Sequence, residues 1–174
     1  MIADLLRLSL FPALMAFAAS SDLFTMTISN RVSLLLVAGF VVLALLSGMG
    51  LQQMGLHFAA GLAVLAVAFG CFAMGWIGGG DAKVAAAAAL WFGFTNLLEY
   101  LVYASLFGGA LTFLLLGFRQ LPLPYPLTSQ PWLLRLHAQE TGIPYGIALA
   151  LGALLIYPQT EWIRAVDLAR FALN

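Results

Sequence analysis

The sequence predicts an all-α integral membrane protein with about six transmembrane helices, and three observations support this prediction. Of its 174 residues, 63% are hydrophobic and 8% are charged, whereas a soluble domain carries about 25% charged residues. The apolar residues form long runs that short polar or glycine-rich connections separate. A segment in lipid must satisfy its own backbone hydrogen bonds, so these runs are expected to be helices.

The first three spans are predicted over about Leu6–Ser21, Ser33–Leu51 and Leu56–Ile77. The first also fits a signal peptide, because an early Arg7 precedes an apolar run that ends in small residues. Since more membrane-like sequence follows it, we favour a retained first span.

The fourth span begins near Asp81 and ends near Gly93, the fifth covers about Asn96–Phe118, and the sixth about Ile143–Tyr157. The fourth is short, which suggests a thinned or tilted segment, or one that enters from a water-filled cavity. No soluble domain, repeat or low-complexity segment interrupts the series, so one membrane-embedded domain is expected over residues 1–174.

Two polar segments lie outside these spans. Residues 119–142 contain four prolines, which prevent a continuous helix and favour extended chain. This segment is either an ordinary connection or a loop that contacts a substrate. The C-terminal "EWIRAVDLARFALN" is amphipathic at helical spacing and is predicted to lie in the membrane interface.

Composition also limits the chemistry. A formal net charge of zero gives no indication of nucleic-acid binding. The single cysteine, Cys71, excludes an internal disulfide and a cysteine-rich zinc module. His57 and His137 are far apart and lack the spacing of metal ligands. We therefore expect neither a metal nor a cofactor.

Two of the acidic residues occupy distinctive positions. The full set is Asp4, Asp22, Asp81, Glu99, Glu140, Glu161 and Asp167. Four of them fall in termini or polar connections, where water can solvate them, and Glu99 can reach the interface. Asp22 ends the first span and Asp81 opens the fourth. Because two spans separate them, both carboxylates are expected at the same membrane face.

These two aspartates allow two interpretations. As a dyad, they would share a proton, one activating water and the other donating to a scissile carbonyl, which is aspartic protease chemistry. Alternatively, each carboxylate caps a helix end, a role that suits Asp81 after three glycines. Those glycines would either admit an extended peptide or form a tight turn. Lys83 is either part of the site or a basic anchor at the interface.

Three motifs resemble those of the type IV prepilin peptidases, which are GxGD intramembrane aspartic proteases. "GGGDAK" resembles the GxGDxK motif, "DLFTMTISN" resembles the segment around the first family aspartate, and "IPYGIALALG" resembles a last-span signature. The resemblance implies catalytic roles for Asp22 and Asp81. It implies substrate-binding or supporting roles for Asn30, Gly78, Gly80, Lys83, Pro144 and Gly146. Ile147 stands where the family pattern usually has proline.

The resemblance points to the short, peptidase-only branch that serves tight-adherence (Flp) pili. It implies removal of the leader peptide from a prepilin or pseudopilin at the cytoplasmic face of a bacterial inner membrane. The substrate would carry an N-terminal leader followed by a hydrophobic helix. Longer members have an added cytoplasmic domain with paired CxxC motifs and methyltransferase activity. This sequence has one cysteine and no such insert, so methyltransferase activity is not expected of it.

The alternative class is a proton-coupled small-molecule transporter or a channel subunit. Intramembrane aspartates also mark proton relays, and glycine-broken helices mark transport sites. The absence of an internal repeat and the clustering of the acids at one face argue against it. A purely structural membrane subunit would leave the glycine-flanked Asp81 unexplained.

Overall fold

A computed structural model describes residues 2–166, and within this range the chain is helical and contains no strand. The helices are α1 (Ile2–Thr25), α2 (Asn30–Leu46), α3 (Leu51–Ala73), α4 (Gly79–Gln120), α5 (Pro131–His137), α6 (Tyr145–Ile156) and α7 (Glu161–Arg164). Short 3₁₀ turns cover Tyr125–Ser129 and Tyr157–Gln159.

Three helices, α1, α3 and α4, are long and apolar enough to cross a membrane. Two shorter apolar helical segments, Asn30–Leu46 and Tyr145–Gln159, pack with them. The predicted all-α membrane fold is therefore confirmed.

Helix α4 is divided at Gly93, whose φ of 55° and ψ of −171° are not helical. Across this break the Phe92 and Tyr100 rings lie 4.8 Å apart between centroids, and Leu97 packs against a buried cluster that includes Ala89. Residues eight apart in a straight helix would lie about 12 Å from one another, so the chain must fold back here. Its two arms, residues 79–92 and 94–120, correspond to the predicted fourth and fifth spans.

Two side chains from other helices form hydrogen bonds with backbone carbonyl groups at this reversal. The break at Gly93 frees carbonyl groups at the end of the first arm. Trp162 Nε1 donates to the Trp91 carbonyl at 2.8 Å, and His57 Nδ1 lies 2.7 Å from the Leu90 carbonyl oxygen. Since a carbonyl only accepts, His57 carries a proton on Nδ1 in this contact.

The structure describes only the first part of the predicted interfacial helix, residues 161–166. There helix α7 has four residues, and Trp162 within it is buried against Trp91. The remainder of the predicted interfacial helix, residues 167–174 with Asp167, lies outside the described residues.

Aromatic side chains form the centre of the core. Phe11 of α1 lies 4.5 Å from Tyr157 and 5.0 Å from Trp91, measured between ring centroids. Trp91 Nε1 donates to the Leu36 carbonyl of α2 at 2.9 Å. Phe11 and Met15 are fully buried, so α1 is a packed part of the bundle.

Asp4 differs from its predicted solvated state. Its side chain is buried, and Arg7 Nη1 donates to its Oδ1 at 3.1 Å. Arg7 also donates through Nη2 to Ser47 at 2.7 Å. A buried carboxylate requires such a partner because burial removes its water.

The long connection before α6 is more ordered than predicted. Although its prolines do interrupt the helix, Pro131 opens the short helix α5, since proline suits the first helical turn. Arg119, near the end of α4, donates to the Leu136, Thr141 and Gly142 carbonyls at 2.8, 3.1 and 2.8 Å. The connection is therefore tied to the second arm of α4.

Candidate active site

The two ends of the helix bundle carry different kinds of side chain, and each end is named after its own. The aspartate end carries Asp22 near the end of α1, Asp81 at the start of α4 and Gly146 at the start of α6. The aromatic end, at the opposite side of the bundle, carries His57, Trp91, Tyr157 and Trp162. All eight residues that the sequence singled out lie at the aspartate end.

Both the carboxylate and the backbone carbonyl of Asp22 accept a hydrogen bond. Its side chain is 5% exposed, and Oδ2 accepts the backbone N–H of Gly146 at 2.7 Å. Helix α1 ends three residues later, because Met26 takes a left-handed φ of 54° and donates its N–H to the Asp22 carbonyl at 2.8 Å. The chain then leaves the helix in an extended form that leads to Ile28.

Gly146 has no space for a side chain. A Cβ at this position would lie 2.9 Å from Asp22 Oδ2 and 2.8 Å from Ile28 Cδ1. Glycine thus allows the α6 backbone to approach the carboxylate closely enough to donate a hydrogen bond. Pro144, also buried, precedes α6 as its N-cap residue.

Asp81 is the third residue of α4 and is half-buried. The N-cap residue is Gly78, so the interpretation of Asp81 as the N-cap is wrong in position. Its carboxylate instead reaches back to the Gly78 backbone, with Oδ2 2.8 Å from the place a Gly78 Cβ would occupy. An acidic residue in the first turn also suits the positive end of the helix dipole.

Ile28 lies between the glycine that precedes Asp81 and the glycine that donates to Asp22. Besides its contact with Gly146, it packs on Gly80, where a Cβ would lie 3.3 Å from Ile28 Cβ and 3.4 Å from its carbonyl oxygen. Asp81 lies within electrostatic range of Asp22. Sequence reasoning gave Ile28 no role, although its place in the "DLFTMTISN" motif was the available signal.

Asn30 and Lys83, the two predicted site residues not yet described, contact each other. Lys83 Nζ donates to Asn30 Oδ1 at 2.8 Å, which joins the first turn of α2 to the start of α4. The pair is exposed. Lys83 therefore has a specific partner in addition to any contact with the interface.

Sequence reasoning missed a contact of the second α4 arm with this end. A Cβ on Gly108 would lie 2.9 Å from Tyr145 Cε1, and the Tyr145 hydroxyl lies 3.3 Å from Thr112 Oγ1. The arm continues eight residues beyond Thr112 to Gln120, which is about 12 Å further.

The connection that follows packs beside Asp22. The Trp132 ring lies 5.5 Å from the Phe24 ring, and Arg135 donates to the Phe24 carbonyl. This segment therefore packs against both α1 and α4 at the aspartate end.

The chemistry available at this end comes from side chains and backbone amides. Two carboxyl groups are held by different helices, one well buried and one half-buried. Such a pair can exchange protons with water and with a peptide bond. Within residues 2–166, no three His, Cys, Asp or Glu side chains are grouped so that they could hold a metal ion.

A family model for the type IV leader peptidases matches residues 9–113. The chain belongs to the type IV leader peptidase family. The match covers more than half of the chain and contains Asp22, Asn30 and residues 78–83, whereas Pro144 and Gly146 lie beyond it. No curated protein and no solved structure matches the chain.

Family membership decides between the functional classes that the sequence left open. A membrane-embedded peptidase agrees with both the family and the apolar helices. The transporter and structural-subunit hypotheses have no comparable support.

Proposed function

We propose that this protein is an aspartic endopeptidase that removes the leader peptide from Flp-type prepilins at the cytoplasmic membrane face. Asp22 and Asp81 form the catalytic pair. The observation that carries this proposal is that Ile28 packs both on Gly80, the residue before Asp81, and on Gly146, whose amide donates to Asp22.

The reaction requires the two carboxyl groups in different protonation states. The ionised one takes a proton from water as the water oxygen attacks the scissile carbonyl carbon. The protonated one donates its proton to the carbonyl oxygen. When the tetrahedral intermediate collapses, the C–N bond breaks and the leaving amine receives a proton. One water is consumed, and the pair returns to its starting state.

Backbone exposure at the start of α4 suits a peptide substrate. Gly78 is exposed, and Gly79 and Gly80 are half-buried. Without side chains, this turn lets an extended peptide approach Asp81 closely. Positioning of this kind supplies much of the rate in enzymes, because it replaces a bimolecular encounter.

Charge distribution supports the assignment of the aspartate end to the cytoplasm. Arg31, Lys83, Arg119 and Arg135 belong to the aspartate side, whereas Arg7 and Arg164 lie toward the aromatic end. Arg170 lies outside the described residues. Basic residues favour the cytoplasmic side, and the resemblance to prepilin peptidases indicates the same orientation.

Processing of a Flp-type prepilin by purified enzyme in detergent tests the proposal. Wild-type protein should shorten the substrate, with the new N-terminus just before the hydrophobic helix. Asp22→Asn and Asp81→Asn should each lower the rate by about 10³-fold or more, because each removes an acid–base group. If the pair acts as a unit, the double variant should be no slower than either single variant.

Glu99→Gln is the matched control, since Glu99 is an exposed carboxylate elsewhere on α4. It should retain full activity. Both aspartate variants should purify in folded form, because asparagine preserves side-chain size. Substantial processing by Asp81→Asn would contradict the dyad, and an intact prepilin after incubation with wild-type enzyme would contradict the function.

A further inference from the structure

A lateral groove of about 460 Å³ opens between α2 and α3. These two consecutive helices scarcely touch, although both pack on the first arm of α4. They meet near the aromatic end, where the Phe40 and Phe58 rings are 5.8 Å apart. The helices therefore diverge toward the aspartate end, and the groove lies in the opening.

The floor of the groove lets another helix approach closely. Ala86 and Ala87 of α4 and Gly61 of α3 contribute little side-chain volume. Small residues at such positions allow helix backbones to pack together in a membrane. The sides carry lipid-facing leucines, Leu34 being 67% and Leu62 62% exposed.

Polarity changes along the groove. Its polar side chains, Asn30, Ser33 and Lys83, are all near the starts of α2 and α4, at the aspartate end. From there the lining is apolar down to Leu90. An occupant should thus be apolar within the membrane and leave the groove as a polar segment.

We propose that this groove binds the hydrophobic helix of the prepilin, an inference that rests on the proposed function. The helix would lie on Ala86, Ala87 and Gly61, with its N-terminal end at the Asn30–Lys83 pair. The segment before the helix must be extended for cleavage, which frees its backbone carbonyl groups. The Lys83 ammonium, with three N–H donors, can satisfy one of them.

The groove directs this extended segment toward the catalytic pair. Groove residues Lys83, Ala86, Ala87 and Leu90 follow helical spacing along one face of α4. Asp81 is two positions before Lys83 and therefore lies on a different face. The segment would cross the turn Gly78–Gly80 to reach it, where Gly78 is exposed and no side chain of the turn obstructs the path.

A matched pair of substitutions tests the groove. Leu34→Trp places an indole in it, whereas Leu35→Trp places one on the neighbouring, 53% exposed position outside it. Both sites face lipid, where tryptophan is tolerated. Leu34→Trp should raise KM for prepilin about tenfold or more with kcat little changed, a loss of ground-state binding. Leu35→Trp should leave both parameters unchanged.

Photo-crosslinking identifies the occupant directly. A benzophenone amino acid at position 34 or 62, in an Asp81→Asn background, should crosslink the hydrophobic helix of the prepilin. The same group at position 35 should not. Vesicles of phosphatidylethanolamine and phosphatidylglycerol provide the bilayer and report capture of lipid alone.

The possible failures are distinct. Normal cleavage by wild-type enzyme, with equal KM for the two tryptophan variants and only lipid crosslinked at position 34, would overturn the groove and leave the peptidase intact. Failure of wild-type enzyme to cut the prepilin would overturn the proposed function and this inference with it.

Discussion

At the aspartate end of the bundle, backbone lies directly against backbone or against a carboxylate, and glycine makes the contacts possible. At the aromatic end, bulky side chains fill the space and donate to carbonyl groups that the break at Gly93 leaves unpaired. Gly146 and Gly80 permit close approach at the first end, whereas Trp162 and His57 complete the backbone hydrogen bonding at the second.

This difference leads us to expect that the aspartate end serves catalysis and that the aromatic end stabilises the fold. If the aspartate end admits a peptide, as we propose, side chains cannot fill it, and the stability of the bundle must come from other regions. The packed rings of Phe11, Trp91, Tyr157 and Trp162 supply a large buried apolar area at the other end. Substitutions at the aspartate end should therefore impair catalysis, and substitutions at the aromatic end should impair folding.

The largest effect is expected from Gly146→Ala at the aspartate end. Its Cβ would displace the Asp22 carboxylate, from which it would be 2.9 Å away. A shift of about 1 Å in a catalytic group can cost about a hundredfold in rate. Prepilin processing by folded protein should fall by this order. The thermal unfolding midpoint should fall less than in Gly93→Ala, because two of the three nearest atoms end side chains and only Asp22 Cβ, 3.0 Å away, is fixed to the backbone.

Gly117→Ala controls for the loss of a glycine, since nothing lies within 4 Å of a Cβ at that position. It should process prepilin normally. If Gly146→Ala kept wild-type activity, the hydrogen bond from its amide to Asp22 would not matter for catalysis.

Gly93→Ala should produce the opposite pattern. Its φ of 55° with ψ of −171° suits glycine, and a Cβ would lie 2.9 Å from the His57 ring. Backbone strain alone should cost about 1–3 kcal/mol of unfolding free energy. The measurement is thermal unfolding in detergent, followed by circular dichroism, with activity normalised to folded protein.

Gly109→Ala is the counterpart in the same helix, where a Cβ would meet open space. Its unfolding midpoint should stay the same or rise slightly, since alanine favours helix. Equal midpoints for Gly93→Ala and wild type would remove the argument that the reversal depends on glycine.

Trp162→Phe should have a smaller effect on the aromatic end. The substitution retains most of the ring packing but removes the donor to the Trp91 carbonyl. Leaving a buried acceptor unpaired costs about 1–3 kcal/mol. Trp76→Phe, at a 69% exposed position, should not change the unfolding midpoint, and equal losses in both variants would contradict a specific role for the indole N–H.

The smallest effect is expected at Cys71, which is partly buried near the end of α3. Cys71→Ala should keep activity, and inactivation with normal expression would indicate a thiol mechanism instead. This variant is the background for placing single cysteines at Ser129 and Gln53, which lie toward opposite ends of the bundle. They should react with a membrane-impermeant maleimide from opposite sides, and labelling from one side would contradict the arrangement of spans.

The sequence alone determined the helical class and the approximate positions of the six apolar segments. It also placed Asp22 and Asp81 at one end, because that expectation depends on counting crossings and tolerates errors of several residues at each boundary. Motifs brought Asn30, Lys83 and Gly146 into the same set. These inferences need only composition, periodicity and order along the chain.

Only the tertiary structure decided which atoms meet. The hydrogen bond from Gly146 to Asp22 and the position of Ile28 between Gly80 and Gly146 depend on how each helix is rotated about its axis. The burial of Trp162 against Trp91 joins distant segments. Asp4 pairs with Arg7 only three residues away, but its burial depends on how α1 packs in the bundle. Rotation and docking arise from side-chain packing among distant segments, and a one-dimensional pattern contains no measure of that packing.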